Sequence, residues 1–126
     1  MKVHLLIDYY IPPMEERQKE LDYCYTDNIN NPCFDKIHVF HQDVPPQIND
    51  KVILNVLTAR NTYYDYIKYA SQNIPKGDVV VLANSDIYFD DSITKVTKFD
   101  LDRYVLTLTQ VIVTGKHILY NHNKYF

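Results

Sequence analysis

The stretch VVVLANSDIYFDD, residues 79–91, joins an aliphatic run directly to a cluster of acids. Residues 79–82 are all aliphatic, and such a run predicts a strand that is buried on both faces of a sheet. The polar residues Asn84, Ser85 and Asp86 follow this strand. Open parallel sheets bind their ligands beyond the carboxyl ends of the strands. The position of Asp86 therefore indicates either a solvated polar loop or a site for a positively charged group.

Further strands and helices alternate along the chain. Apolar runs and helical spacing predict strands at 3–7, 36–40, 51–57 and 78–83 and helices at 14–28 and 58–73. Because strands alternate with helices, we expect one α/β domain over residues 1–126, Rossmann-like, with a mainly parallel sheet flanked by helices. The segments RYVLTLTQVIV and HILYNH surround the turn residues TGK, which predicts a C-terminal hairpin.

The helical spacing also predicts which side chains face the sheet. In the second helix the inward residues, spaced at i, i+4, i+7 and i+11, are expected to be Tyr63, Ile67, Ala70 and Ile74. A weaker stripe on the first helix consists of Met14, Leu21, Cys24, Tyr25 and Asn28. Beyond the strand at 78–83, Asp90 and Asp91 are expected to cap a short helix that begins near Ser92.

Composition argues against several classes of protein. The net charge of −3 does not favour a nucleic-acid binder, and no apolar run approaches the roughly 20 residues of a membrane span. The amino-terminal segment lacks the apolar core of a signal peptide, so a cytoplasmic protein is expected. With only two glycines the chain has neither a Walker-type phosphate loop nor a GxGxxG turn. Cys24 and Cys33 are too few for a disulfide framework, and both are expected to be reduced.

Asp86 and Asn84 offer oxygen ligands to a metal ion. The two side chains lie two positions apart in an extended segment, so they point to the same side. Mg²⁺ and Mn²⁺ prefer oxygen ligands and accept few from the protein when a phosphate supplies the rest. These residues predict a divalent cation that is held by Asp86, with help from Asn84, and that bridges to a diphosphate. The residue types also allow the alternative that Asn-Ser-Asp is simply a polar strand exit.

The segment ANSDIYFDDSI resembles the metal-binding segment of GT-A-type glycosyltransferases, enzymes that use nucleotide sugars. That family carries a DxD-like motif at the end of a central strand. Here Asn84 stands in place of the first acid, and Asp86 matches the second. Residues 5–40 and 58–74 are similar to corresponding segments of a small glycosyltransferase-like group from large DNA viruses and bacteria. The resemblance covers most of residues 3–93.

The resemblance implies a pocket for a nucleoside-diphosphate sugar at the end of the first strand. The donor-binding residues that it implies are Asp8, Tyr9, Tyr10, Arg60, Asn84, Ser85 and Asp86. Asp8 and the two tyrosines after it would contact the base and the ribose, and Arg60 would bind phosphate oxygens. Asp86 would hold the cofactor, Mn²⁺ or Mg²⁺, and His117 or His122 is a further candidate ligand of that ion.

The resemblance further implies a metal-dependent glycosyltransferase that transfers a sugar to a hydroxyl of a glycan or another acceptor. Enzymes of this fold usually run to roughly 200 residues, so the acceptor-binding part and the catalytic base are expected to be missing. The alternative is a non-catalytic nucleotide-sugar-binding module, completed by self-association or forming part of a larger assembly. A receiver-type domain would carry paired acids after the first strand, where only Asp8 lies. If the chain is viral, its expected location is the host cytoplasm.

Overall fold

The computed structural model of the protein describes residues 1–99 and 101, together with the backbone of two later strands. The elements around the site are β1 (Val3–Tyr9), α1 (Glu15–Ile29), β2 (Lys36–His41), β3 (Val52–Val56), α2 (Tyr63–Asn73), β4 (Val79–Leu82) and a 3₁₀ helix (Asp91–Lys98). The later strands, β5 (Val111–Thr114) and β6 (His117–Tyr120), pair in antiparallel fashion. The turn that the sequence predicts between them lies outside the described residues.

The strands β1 to β4 form a parallel sheet in the order β3-β2-β1-β4, which confirms the predicted α/β architecture with a parallel sheet. The chain winds from β1 through α1 to β2 and on to β3, and it then returns through α2 to β4 on the other side of β1. Because the winding reverses between β1 and β4, the carboxyl ends of these strands flank a topological switch point, where such sheets bind ligands. β1 is longer than predicted and includes Asp8 and Tyr9.

α1 covers one face of the sheet and contributes to the main core. Its buried residues are Leu21, Cys24, Tyr25, Asn28 and Ile29. Tyr25 and Ile29 share a hydrophobic cluster with Ile7 of β1. The predicted stripe is thus confirmed except at Met14, which is 66% exposed. Met14 is the N-cap and has an extended backbone, so the helical period does not orient its side chain.

α2 packs on the opposite face, and only part of its predicted inward stripe faces the sheet. The prediction is wrong at Tyr63, which is 73% exposed, and at Ile67, which is 65% exposed, whereas Ala70 and Ile74 are partly buried. Tyr66 and Tyr69 face the sheet instead, and both rings meet Phe40 edge-on at centroid distances of 5.0 and 4.8 Å. The reason lies in the sheet surface beneath, which carries buried histidines. The hydroxyl of Tyr69 lies 2.7 Å from Nδ1 of the buried His38, a hydrogen bond that isoleucine could not form.

The aliphatic run of β4 is buried on one face only. Val79 and Val81 are buried, whereas Val80 is 40% exposed and Leu82 is 36% exposed. β4 lies at the edge of the four-stranded sheet, and α2 packs over Phe40 of β2 rather than over β4. The prediction that this strand is buried on both faces is therefore wrong. Among the residues that the structure describes, the layer that covers β4 consists of α1 and the 3₁₀ helix.

The 3₁₀ helix after β4 begins as predicted. The backbone N–H of Ser92 donates to Asp90 Oδ1 at 2.9 Å, which confirms Asp90 as the capping residue. Ile93 and Val96 of this helix are buried in the main core. Cys24 and Cys33 are both free. Among the helices within the described ranges, none combines the length and the apolar character that crossing a bilayer requires.

Two histidines are buried between the sheet and α2. His4 on β1 is 5% exposed and His38 on β2 is 3% exposed. His4 Nδ1 and His38 Nε2 lie 2.9 Å apart. Burial, reinforced by the charges of His4 and Lys36, lowers the pKa of His38 to about 4. Folded His38 is therefore neutral at pH values where an unfolded histidine is already protonated.

Because of His38, the free energy of unfolding is expected to fall as the pH drops below about 6.5. In this window the unfolded state binds more protons than the folded state, so acidification favours unfolding. From pH 7 to pH 5 the contribution of His38 is roughly 2 kcal/mol. Urea denaturation at pH 7 and at pH 5 measures the loss in the free energy of unfolding. This loss is expected to be smaller in His38→Gln than in wild type, by the contribution of His38. An equal loss in both proteins would contradict the buried, neutral state of His38.

Candidate functional site

A cavity of about 200 Å³ lies at the carboxyl ends of β1 and β2. Four of the predicted donor-binding residues line it, namely Asp8, Tyr9, Tyr10 and Arg60. Asp8 and Tyr9 end β1, and Arg60 lies in the loop between β3 and α2. These residues meet although they are about fifty positions apart in sequence, because parallel strands present their carboxyl ends at one edge of a sheet.

A larger cavity of about 470 Å³ adjoins the first one and shares Phe40, Leu57 and Arg60 with it. Its wall continues along the loop between β3 and α2 and reaches Asn55 and Tyr69. Arg60 lies on the boundary, so its guanidinium is available to a ligand in either cavity. The two cavities together provide space beside β1 and β2 for a ligand larger than a single nucleoside.

The Asp8 carboxylate connects the cavity to the segment after β4. Asp8 is half-buried, and burial is the main cause that raises its pKa. The positive charge of Arg60 and the backbone N–H of Ser85 act in the opposite direction, whereas the negative charge of Asp86 raises the pKa further. Asp8 therefore lies within electrostatic range of Arg60 on one side and of the Asn-Ser-Asp motif on the other.

The two tyrosines after Asp8 differ in what they can offer to a ligand. The ring of Tyr9 is 3% exposed and packs against Tyr25 in the core, with ring centroids 5.2 Å apart. Its hydroxyl donates to Asp22 of α1, and burial together with this bond raises the pKa of Tyr9. Tyr10 lines the same cavity and is partly exposed. Of the two predicted aromatic contacts, Tyr10 is therefore the ring that can stack on a base.

Asp86 forms an ion pair with Arg17, a contact that the sequence did not predict. Arg17 Nη2 donates to Asp86 Oδ2 at 3.0 Å, and Arg17 Nη1 donates to Glu20 Oε2 at 3.0 Å. The hydrogen bond to Asp86 is the main cause that raises the pKa of Arg17. The side chains of Arg17 and Asp86 are 37% and 32% exposed, so solvent can reach the pair. Both residues follow strands, β1 and β4, whose carboxyl ends are adjacent in the sheet, and no pattern in the sequence reports this adjacency.

Two amides of the α1 region hold the segment that follows Asp86. Asn28 Nδ2 donates to the carbonyl of Ile87 at 2.8 Å, and Asn31 Nδ2 donates to the carbonyl of Phe89 at 2.9 Å. Asn28 and Asn31 are both buried. Because these bonds lie immediately after the motif, they fix its backbone relative to α1. The backbone that follows Asp86 is therefore held by contacts within the protein.

The motif offers a metal ion an incomplete set of ligands. Within residues 1–99 and 101, no three His, Cys, Asp or Glu side chains form a metal centre by themselves. Asp86 uses one carboxylate oxygen for Arg17, and Asn84 is exposed to solvent. Mg²⁺ commonly takes one or two carboxylates and completes its shell with phosphate oxygens and water. The residues present thus fit a divalent ion only together with a phosphate ligand. The side chains of His117 and His122 lie outside the described residues.

The chain matches no protein-family model, and comparisons with curated proteins and with solved structures give no match either. The resemblance to GT-A-type glycosyltransferases therefore stands on the residues and their order along the chain.

Proposed function

We propose that the protein is a metal-dependent glycosyltransferase that uses a nucleoside-diphosphate sugar. In this proposal the parallel sheet is the donor-binding part of a GT-A-type fold, and the strands β5 and β6 form its C-terminal hairpin. The observation that carries the proposal is that charged residues of three chain segments act on one another near the carboxyl end of β1. Asp8 lies one residue before the end of β1, Arg60 precedes α2 and Asp86 follows β4. The charges of Arg60 and Asp86 both act on the Asp8 carboxylate, although Asp86 is not among the residues that line the two cavities.

The smaller cavity would take the nucleoside. Tyr10 would stack on the base, since its ring is the partly exposed aromatic of the pair. The Asp8 carboxylate, when ionised, would accept hydrogen bonds from ribose hydroxyls. Arg60 lies on the same wall and would donate to the diphosphate in a forked geometry.

Asp86, with Asn84, would hold Mn²⁺ or Mg²⁺ beside the diphosphate. When bound, the ion would neutralise charge on the departing diphosphate. Arg17 would then exchange its bond to Asp86 for a bond to a phosphate oxygen, because a guanidinium pairs with phosphate as readily as with carboxylate. The partial exposure of the ion pair allows this exchange without unpacking the core.

A non-catalytic nucleotide-sugar-binding module is the second candidate function. The specific observation that favours it is the bond from Arg17 to Asp86, which neutralises the motif carboxylate without any metal. In such a module the guanidinium would bind the donor phosphates directly, and metal ions would not affect affinity.

Incubation of the protein with Mn²⁺ and a panel of nucleotide sugars separates the two candidates. Release of free nucleoside diphosphate, dependent on Mn²⁺ and on an added glycan or other hydroxyl acceptor, is the result expected of the transferase. Binding by calorimetry that is insensitive to Mn²⁺, without release, is the result expected of the module. If no nucleotide sugar or nucleoside diphosphate binds, both candidates are wrong.

Arg60→Ala is expected to weaken the binding of UDP or GDP by about 10- to 150-fold, since one charge-assisted hydrogen bond contributes roughly 1.5–3 kcal/mol. Isothermal titration calorimetry measures the change. The matched control is Lys76→Ala, which removes one positive charge from the loop before β4, at the amino edge of the sheet. Equal weakening by both variants would mean that only the overall charge matters, and that Arg60 does not contact the diphosphate.

A further inference from the structure

A chain of four hydrogen-bonded side chains crosses the sheet beneath α2. Its members, called the buried chain below, are Asp78, His4, His38 and Tyr69. His4 Nε2 lies 2.9 Å from Asp78 Oδ2, and His4 Nδ1 lies 2.9 Å from His38 Nε2. His38 Nδ1 lies 2.7 Å from the hydroxyl of Tyr69. The chain therefore connects the amino edge of β4 to α2 without a gap.

The chemistry of the end groups fixes the direction of these bonds. The Asp78 carboxylate can only accept, so His4 Nε2 carries the proton of that bond. Neutral His4 then accepts at Nδ1, which requires a proton on His38 Nε2. His38 in turn accepts at Nδ1, and the hydroxyl of Tyr69 donates to it. Every polar atom of the buried chain thus has a partner while both imidazoles stay neutral.

One additional proton reverses the direction of the buried chain without breaking a bond. If His4 becomes an imidazolium, it donates from Nε2 to Asp78 and from Nδ1 to His38. His38 then carries its proton on Nδ1 and donates to the oxygen of Tyr69. The hydroxyl proton of Tyr69 becomes available to another acceptor. A second proton has no place, since it would put two N–H groups opposite each other across the 2.9 Å between the rings.

The surrounding charges direct the additional proton to His4. Asp78 is the anion that contacts His4, and its pKa is lowered by the backbone N–H of Lys2 and by His4 itself. Lys36, on the strand of His38, opposes a positive charge on the second ring, and the pKa of His38 is about 4. At the other end of the buried chain, the Tyr69 hydroxyl has a neutral neighbour, the amide of Asn55, whose Nδ2 lies 3.4 Å away. A proton on His4 is thus compensated by the Asp78 carboxylate.

Tyr69, the last member of the buried chain, lines the larger cavity together with Asn55 and Arg60. We propose that the buried chain is a proton relay and that Tyr69 is a general base for a hydroxyl-bearing ligand in this cavity. The ligand O–H bond breaks as its proton passes to the Tyr69 oxygen. The proton of Tyr69 passes to His38 Nδ1, and the Nε2 proton of His38 passes to His4 Nδ1. The products are a ligand alkoxide and a His4 imidazolium paired with Asp78.

The role of Tyr69 as a general base rests on the proposed function, because it requires that the protein transfers a sugar. A sugar transfer that inverts configuration needs a base that makes the acceptor hydroxyl nucleophilic. The larger cavity adjoins the donor cavity at Arg60, so an acceptor hydroxyl near Tyr69 would lie beside the diphosphate site. The relay itself is a property of the free protein and can be measured without any nucleotide.

Long-range ¹H–¹⁵N correlation spectra of the imidazoles test the relay directly. Near pH 8, both His4 and His38 are expected to carry their proton on Nε2. As the pH is lowered, one midpoint shared by both rings is expected, at which His4 becomes an imidazolium and His38 changes to the Nδ1–H form. Separate midpoints for the two rings, or His38 already in the Nδ1–H form near pH 8, would overturn the relay.

The substitution Asp78→Asn keeps the shape of the side chain at the start of the buried chain and removes its negative charge. The shared midpoint is expected to be lower than in wild type, because the amide no longer compensates the imidazolium. The matched control, Asp50→Asn, removes an exposed acid before β3 and is expected to leave the midpoint unchanged. An unchanged midpoint in Asp78→Asn would overturn the proposed storage of the proton on His4.

Tyr69→Phe tests the general base, since it removes the hydroxyl and retains the ring that packs on Phe40. The kcat of sugar transfer is expected to fall by about 100-fold, whereas the affinity for UDP or GDP stays the same. An undiminished kcat would overturn the role of Tyr69. A protein that binds no nucleotide but shows the coupled tautomer change would overturn the proposed function and retain the relay. If His4 and His38 titrate with separate midpoints while sugar transfer is intact, the relay is overturned and the proposed function is retained.

Discussion

Phe34→Ala is expected to lower the free energy of unfolding by about 3–5 kcal/mol, the range for deleting a buried aromatic side chain. Phe34 is 1% exposed and belongs to the core cluster beneath α1. Its ring meets Phe89 edge-on at a centroid distance of 5.4 Å. Truncation therefore leaves a cavity beside the segment that follows Asp86. Urea denaturation monitored by circular dichroism measures the loss.

Tyr63→Ala is the matched aromatic control for this prediction. Tyr63 lies on α2 and is 73% exposed, so its truncation is expected to change stability by no more than about 0.5 kcal/mol. The comparison also tests the orientation of α2, because the helical spacing of the sequence placed Tyr63 on the inward face. A loss for Tyr63→Ala as large as that for Phe34→Ala would contradict the orientation seen in the structure.

The order of strands and helices in the sheet could be predicted because it depends on local patterns. Each strand contains a short apolar run and each helix a helical spacing, so the parallel arrangement follows from their alternation, although α2 begins at Tyr63 and not at residue 58 as predicted. The inward face of α2 could not be predicted in this way. The period of Tyr63 and Ile67 was as regular as that of Tyr66 and Tyr69. Tyr66 and Tyr69 face the sheet because they contact His38 and Phe40, which lie on β2, a strand distant in sequence.

The candidate site, too, could be predicted in part from local sequence patterns. The location of Asp8 and Asp86 at the carboxyl edge of the sheet could be predicted, since each lies at or just after the end of a strand. That they are neighbours follows from the order β3-β2-β1-β4, in which β1 and β4 are adjacent. The pairing of Arg17 with Asp86 could not, because the two residues are 69 positions apart and neither lies in a periodic pattern. The buried pair of His4 and His38 depends on strand register, which a single sequence does not specify.

Asp86→Asn is expected to weaken the Mn²⁺-dependent binding of UDP or GDP by about 100-fold, equivalent to about 2.7 kcal/mol. The amide keeps the shape of the side chain but lacks the charge that would hold the ion, and its affinity for a hard dication is correspondingly low. Calorimetric titration with nucleoside diphosphate, with and without Mn²⁺, measures the effect. In the proposed transferase, Mn²⁺ strengthens binding to wild type and no longer does so in the variant.

Two matched variants separate loss of the metal ligand from loss of the ion pair. Asp90→Asn alters an exposed acid four residues later, and it is expected to keep the Mn²⁺ effect because this side chain only caps the 3₁₀ helix. Arg17→Gln leaves Asp86 charged and without its guanidinium partner, so Mn²⁺ is expected to bind as tightly as in wild type or more tightly. If Arg17→Gln instead abolishes nucleotide binding while Asp86→Asn retains it, the guanidinium binds the phosphates without an ion. In that case the module, and not the metal-dependent transferase, is the function of this site.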